Sequence, residues 1–227
     1  MRGTIWNVDA EQPSLRERRR LSTRLEIARA AAELFTAQGA TATTAEEIAT
    51  AGGVSLRTFY RHFRTKEEAV APLLEVGAEQ WQAALRAGIA GMDAGRDADP
   101  GPVIARAIAA MLAPADDGGE QLGWVRGLLV ASRTDPALAE VWSSVNSRSE
   151  AVLKDVMAGL LPAADPFTLR LYAAAATAAI RLAFESWADD DAATGAADGA
   201  LADDPGVARL AVDAFARLSQ GLRKHPA

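Results

Sequence analysis

The sequence predicts an all-α protein with a short N-terminal helix-turn-helix domain and a larger C-terminal helical domain. Three helix-start signals lie within residues 43–70, apolar residues recur at helical spacing elsewhere, and no run of alternating β-branched residues indicates a strand. With 227 residues and 49% hydrophobic content, the chain can bury a sizeable core. The predicted parts are a disordered arm over residues 1–14, a helix-turn-helix domain over 15–65 and a helical body over 66–227.

The first predicted helix spans residues 15–38 and begins in the basic stretch "RERRR". Gly39 follows its last apolar residue, as is common at the position just after a helix. The apolar positions that repeat at i, i+4, i+7 and i+8 are Ile27, Ala31, Leu34 and Phe35.

Two short helices follow, joined by a turn that contains glycine. Thr44 and Glu47 have the Thr-x-x-Glu spacing of a capping box, and this helix should stop at Gly52-Gly53. Ser55 is the expected cap of the next helix, over residues 55–63. Two short helices with a Gly-containing turn form a helix-turn-helix.

The body is predicted to be helical throughout. Thr65 and Glu68 form a second capping-box pattern, which opens a long helix. Clusters of Gly, Pro and Asp interrupt the helical pattern downstream. The Asp-rich segment 188–206 lacks the ligand spacing of a calcium loop, so we expect a flexible acidic connection there. The predicted helices lie near residues 66–91, 102–113, 119–133, 136–160, 166–188 and 205–222.

Charge is distributed unevenly along the chain. The net charge is −6, yet residues 11–66 carry ten Arg or Lys and six Glu, a net charge of +4. A basic end on an acidic body is typical of a phosphate-binding module attached to a larger domain, although a solvated charged face gives the same pattern. No cysteine is present, which excludes disulfides and thiolate zinc sites. We expect no metal, no cofactor, no membrane span and a cytoplasmic location.

The helix over residues 55–63 has two dissimilar faces. At about 100° per residue, Phe59 and Phe63 share one face and Arg57 and Arg61 lie opposite. A helix that faces the core needs apolar residues such as the aromatic pair. Folding alone does not require arginines on the opposite face. Arginine can bind guanine bidentately in the major groove, so DNA is the predicted partner. The alternative, a helix-turn-helix that serves only packing, stays open on these residues.

The string "TTAEEIATAGGVSLRTFYRHFRTKEEAV", preceded by "ARAAAELFTAQGA", resembles the N-terminal domain of TetR-type transcriptional repressors. The resemblance covers roughly residues 20–70 and implies that the 55–63 helix is the recognition helix. Leu56 departs from the polar residue or proline that many members have there. The residues at base- or phosphate-contacting positions are Ser55, Leu56, Arg57, Thr58, Tyr60, Arg61 and His62, with Thr44 and Lys66 at phosphate-contacting positions.

The resemblance also implies that the middle helices of the body enclose an effector pocket and that the last two form a homodimer. Aromatic placement suggests an apolar or aromatic-accepting cavity, although core packing is the better explanation for any single one of these residues. The candidate pocket residues are Trp81, Met111, Trp124, Leu128, Trp142, Tyr172 and Phe184. The candidate dimer residues are Ala176, Ile180, Trp187, Leu210, Ala211, Ala214, Phe215 and Leu218.

The predicted function is a dimeric, ligand-responsive repressor that binds a palindromic operator on double-stranded DNA and is released by a small-molecule effector. A ligand-independent DNA-binding protein and an activator remain alternatives, because they would use the same DNA-binding chemistry. An enzyme is not predicted, since the sequence has no Gly-rich phosphate loop, no usable His pair and no cysteine nucleophile.

Overall fold

The structure is a computed structural model that describes residues 14–90, 99–112, 118–194 and 206–222. All regular elements within these ranges are helical, which confirms the predicted all-α class. Except for Ser14, the predicted arm lies outside the described residues, as does most of the predicted acidic connection. The helices are α1 (Leu15–Gln38), α2 (Ala45–Ala51), α3 (Leu56–His62), α4 (Ala71–Ala90), α5 (Gly101–Met111), α6 (Gly118–Ser132), α7 (Pro136–Leu160), α8 (Pro166–Thr194) and α9 (Gly206–Ser219).

Local hydrogen bonds set the ends of α1. The Ser14 hydroxyl accepts from the Glu17 amide and the Glu17 carboxylate accepts from the Ser14 amide, which is a complete capping box. At the other end, Gly39 has φ 82° and donates its N–H to the Phe35 carbonyl. A positive φ is far more accessible to glycine than to other residues, which explains the residue type at this position.

The helix-turn-helix forms where it was predicted. Thr44 and Glu47 close the capping box of α2, and Ser55 caps α3 by accepting from the Thr58 amide. Gly53 has φ 67° in the turn between them. Buried side chains from all three helices meet in one core, which fixes the angle of α3 to the rest of the domain. They include Ile27, Phe35, Ile48, Phe59 and Phe63.

The second predicted capping box forms only in part. The Thr65 hydroxyl accepts from the Glu68 amide, but the Glu68 carboxylate accepts from the Arg64 amide instead of the Thr65 amide. The chain therefore makes a 3₁₀ turn over Glu67–Val70 before α4 begins, whereas a single helix from residue 66 was predicted.

The body is built on α8, the longest helix. It extends to Thr194, beyond the end predicted at residue 188, and Arg133 from the end of α6 bonds both the Ala188 carbonyl and the Asp189 carboxylate. Within the described residues, α8 alone has the length and composition to cross a membrane, over Pro166–Asp189. Helices α7 and α9 pack against it and 44% of its most apolar window is buried, as is typical of a core helix.

The body contacts α1 through α4 and α6, and α7 contacts the 3₁₀ turn over Glu67–Val70. Helix α6 crosses α1 at Gly127, where an added Cβ would lie 2.3 Å from Thr36 Oγ1 and 2.7 Å from its Cγ2. Only a glycine allows this approach of the two helices without a shift. The helix-turn-helix is thus in direct contact with the larger domain.

Candidate DNA-binding face and effector cavity

Helix α3 exposes a cationic and aromatic face. Phe59 and Phe63 are buried, while Arg57, Arg61 and Tyr60 point to solvent, with Tyr60 55% exposed. The Tyr60 ring stands edge-on to Phe59 with centroids 5.4 Å apart, which holds its orientation. Neither arginine forms an ion pair within the described residues, so both guanidinium groups can bind an external acceptor.

Hydroxyl groups at the starts of α2 and α3 are already engaged in capping. The Ser55 hydroxyl donates to Thr58 Oγ1 over 3.0 Å, and the Thr44 hydroxyl donates to the Glu47 carboxylate over 2.8 Å. The hydrogen bonds from Thr44 hold the pKa of Glu47 below its ordinary value. Thr44 must break its bond to Glu47 before its hydroxyl can donate to a phosphate.

Lys66 has a structural role that the sequence did not reveal. Its ammonium donates to the Ala40 carbonyl over 2.6 Å and to the Thr43 carbonyl over 2.8 Å, and lies 3.8 Å from the Glu67 carboxylate. These bonds join the start of α4 to the loop between α1 and α2. These bonds show that Lys66 holds this loop in place, and its contact with a phosphate stays a prediction.

His62 lies away from the face formed by Arg57 and Arg61. Its half-buried ring stands beside Phe63, on the cleft between the helix-turn-helix and α7, and its Nδ1 is buried without a hydrogen-bond partner. Burial lowers the pKa of His62, and the positive charges of Arg61, Arg20 and Arg24 lower that pKa further. We reassign His62 from DNA contact to the junction of the two domains.

The lowered pKa of His62 predicts a pH effect on stability. In the unfolded chain, His62 should bind a proton near pH 6.5, whereas in the folded chain it binds that proton only at a lower pH. The free energy of unfolding should therefore fall as pH drops below about 6.5 toward the lower folded-state pKa. His62→Gln should reduce this fall, measured by urea unfolding between pH 7.5 and 5. His225→Gln, which removes the second histidine, is the control, and equal slopes in wild type and His62→Gln would contradict the assignment.

A cavity of about 160 Å³ lies in the body between α4, α6, α7 and α8. Its lining is mostly apolar and includes three aromatic rings. Among the described residues, no group of three His, Asp or Glu side chains could hold a metal ion. The lining residues are Leu73, Leu74, Gly77, Ala78, Gln80, Trp81, Met111, Gln121, Leu122, Val125, Trp142, Val145, Asn146, Ser149, Thr177, Ile180 and Phe184.

Four of the seven predicted pocket residues line this cavity: Trp81, Met111, Trp142 and Phe184. The other three do not, because their helices turn these positions elsewhere. Tyr172 is buried in the core, and Trp124 is partly buried and packs against the core. Leu128 of α6 is buried and lines a smaller space together with Trp142. The polar residues of the cavity were missed, since single polar residues in a helix give no pattern that separates a cavity wall from a surface.

Parts of the chain are similar to regulatory proteins of known class. A family profile described as bacterial regulatory proteins, tetR family, matches residues 27–71. The transcriptional regulator TcmR of Streptomyces glaucescens is 38% identical over 56% of this chain, and the match spans just over half, 56%, of that relative's length. Residues 27–71, which contain α2 and α3, are therefore similar to the tetR family of bacterial regulatory proteins.

Solved TetR-family structures share the whole fold. A TetR-family transcriptional regulator of Mesorhizobium loti is 20% identical and covers 88% of this chain and 96% of its own, with a TM-score of 0.50. The repressor FadR of Thermus thermophilus, solved with lauroyl-CoA, is 23% identical and covers 90% and 97%, also with a TM-score of 0.50. At 20% and 23% identity, both structures show a likeness of fold alone.

Most of the residues predicted to form the dimer are buried inside the subunit. Helix α8 turns Ala176 and Trp187 inward and Ile180 into the cavity, and α9 turns Ala211 and Phe215 into the core. A residue in a subunit's own core cannot form the contact surface of a partner, so these five assignments are corrected. Leu210, Ala214 and Leu218 keep partly or fully exposed side chains.

The outer side of α8 carries an apolar stripe that the sequence analysis missed. Leu171, Ala175, Ala178 and Leu182 recur at i, i+4, i+7 and i+11, and all are partly or fully exposed, Leu182 by 45%. Together with the exposed side of α9 they form a surface that we call the α8–α9 face, defined by Leu171, Ala175, Ala178, Leu182, Leu210, Ala214 and Leu218.

Proposed function

We propose that the protein is a cytoplasmic, dimeric repressor that binds a palindromic operator and is released by a small-molecule effector. The exposed face of α3 carries this proposal. Arg57 and Arg61 extend from a helix whose opposite side is fixed in the core by Phe59 and Phe63. A rigid helix with unpaired guanidinium groups suits the major groove, where arginine binds guanine O6 and N7.

The α8–α9 face supports a two-fold dimer. Exposed apolar side chains at helical spacing on two adjacent helices favour a four-helix bundle made of two helices from each subunit. An isologous interface of this kind relates the two α3 helices by a two-fold axis. The operator would then be a palindrome whose half-sites are separated by roughly one helical turn or somewhat more.

The position of α4 supports control by an effector. Its residues Leu73, Leu74 and Trp81 line the cavity, and only the segment 63–70 separates α4 from α3. A ligand that enlarges the cavity would displace α4 and change the separation of the two recognition helices. By linkage, an effector that weakens operator binding must bind the operator complex more weakly than it binds free protein.

Replacing Arg57 tests the DNA assignment. Arg57→Ala should weaken operator binding by about 5- to 150-fold, or about 1–3 kcal/mol, because one bidentate base contact is lost. The measurement is a footprint on the DNA that flanks the gene, at moderate salt with excess competitor, followed by binding to the protected fragment. Arg106→Ala removes an exposed arginine of α5 and is the matched control.

A palindromic footprint that Arg57→Ala weakens and Arg106→Ala preserves would support a sequence-specific regulator. Coating of every fragment with the same salt dependence would point to a non-specific binder instead. Equal operator affinity in wild type and Arg57→Ala would refute the contact proposed for this residue.

A further inference from the structure

We propose that the effector is an uncharged molecule with a compact aromatic body and a hydroxyl or carbonyl group that hydrogen-bonds to Thr177. The inference rests on the proposed function, because it assigns a chemical class to the effector of that cavity. Three features of the lining lead to it: the absence of charge, the arrangement of the rings and one hydroxyl group without a partner.

No ionisable side chain occurs among the described residues that line the cavity. Glu185, which accepts a hydrogen bond from the cavity residue Trp142, is paired with Arg181 over 2.8 Å. A charged ligand would lose its hydration and gain no counter-ion, which is strongly unfavourable in a buried site. The cavity therefore selects against carboxylates, phosphates and ammonium ions.

The apolar side of the cavity presents aromatic surface. Trp142 donates its indole N–H to Glu185 over 3.2 Å, so its polar atom is satisfied outside the lining. Its ring stands edge-on to Phe184 with centroids 6.2 Å apart, and Trp81 and the adaptable side chain of Met111 complete this side. Ring edges and faces at such angles accept a further ring in an offset or T-shaped arrangement.

Thr177 provides the polar anchor. Its side chain is only 7% exposed, lines the cavity, and has an Oγ1 atom that is buried without a hydrogen-bond partner. A helical threonine commonly satisfies itself by donating to the carbonyl four residues earlier. A buried hydroxyl without a partner is unfavourable in the free protein, so a ligand atom that pairs with it gains the full benefit of the bond.

Neighbouring groups on α7 extend the polar wall. Asn146 donates one N–H to the Trp142 carbonyl over 2.8 Å, and Ser149 accepts from Gln82 over 3.3 Å. The Asn146 carbonyl oxygen forms no hydrogen bond within the described residues, and the Ser149 hydroxyl can still donate. Donors and acceptors are therefore both available, which suits a hydroxyl or carbonyl of a neutral ligand.

Three ring compounds of similar shape can test this chemistry. The cavity volume of about 160 Å³ resembles that of an engineered apolar cavity that binds benzene, so compact ring systems are suitable probes. The probes are 2-naphthol, naphthalene and 2-naphthoate, which are respectively neutral with a hydroxyl, apolar and anionic at pH 7. Their dissociation constants would be measured by equilibrium dialysis with the full chain and without DNA.

Wild type should bind 2-naphthol at least about tenfold more tightly than 2-naphthoate, because burying the carboxylate is unfavourable. Thr177→Val should weaken 2-naphthol binding about fivefold and leave naphthalene binding within about twofold. Thr177→Ser, which keeps the hydroxyl, should bind 2-naphthol nearly as wild type does. Thr134→Val, at the exposed end of α6, is the control, and thermal melting should show that Thr177→Val is folded, since it loses an unpaired hydroxyl.

Equal binding of 2-naphthoate and 2-naphthol would overturn the charge selection. An unchanged ratio of 2-naphthol to naphthalene binding in Thr177→Val would overturn the role of Thr177, and no binding of any probe at 1 mM would overturn the aromatic site. The dialysis contains no DNA, so these failures are distinct from failure of the operator footprint, which would refute the repressor proposal alone.

Discussion

Leu182→Asp should convert a dimer into a monomer and weaken operator binding by about 10²- to 10⁴-fold. Leu182 is 45% exposed on the α8–α9 face, so the subunit tolerates a charge there while the partner's apolar surface does not. A monomer binds a single half-site and loses the gain from binding two linked sites at once. Light scattering measures the subunit association, and titration of the operator fragment measures the affinity.

Ala216→Asp is the matched control for this experiment. Ala216 is exposed on the side of α9 away from Leu210 and Leu218, so the same added charge should leave both the dimer and operator binding unchanged. A Leu182→Asp protein that is still dimeric would refute the α8–α9 face. Phe215→Asp should behave differently from both, because Phe215 is in the subunit's core and a buried charge there should unfold the chain.

Lys66→Met should destabilise the helix-turn-helix by about 2–3 kcal/mol, because the Ala40 and Thr43 carbonyls lose a charged donor. Methionine keeps most of the length and apolar volume of the side chain, so the loss of stability measures the contribution of the ammonium group. Urea unfolding measures the stability, and operator binding should weaken because the loop between α1 and α2 is no longer fixed to the start of α4.

Lys154→Met is the control for Lys66, since Lys154 lies on α7 and, in the part of the chain that the structure describes, pairs with the adjacent Asp155. The two roles considered for Lys66 give opposite results. If Lys66 holds the loop in place, Lys66→Met lowers the stability of the protein in the absence of DNA. If Lys66 instead contacts a phosphate, Lys66→Met would leave stability unchanged. The salt dependence of DNA binding would then indicate about one neutralised phosphate fewer. The second result would support the phosphate contact predicted for Lys66.

The N-terminal helices could be predicted from sequence because their determinants are local. The capping residues Thr44 and Ser55 act within three residues along the chain, and the two faces of α3 follow from helical periodicity alone. Lys66 could not be understood in this way, because its acceptor at Ala40 is 26 residues away. The ammonium bonds depend on how α4 meets the loop before α2, which no short sequence pattern encodes.

The body was less predictable because α8 is apolar on more than one side. Ile180 and Leu182 are both large and apolar, yet one lines the cavity and the other is exposed. Helical periodicity identifies an amphipathic face only when another face is polar, and α8 offers no such contrast over most of its length. Large aromatic residues were a better guide, since three of the five aromatic residues proposed for the pocket line the cavity.

The contact between Gly127 and Thr36 gives the two domains a mechanical connection. Val125 of α6 lines the cavity, and Gly127, two residues along, lies on roughly the opposite side of that helix against α1. Repulsion between atoms at contact rises steeply. Helix α6 can therefore push α1 directly at this contact. Outward movement of α6 would therefore displace α1 together with α2 and α3, which share its core.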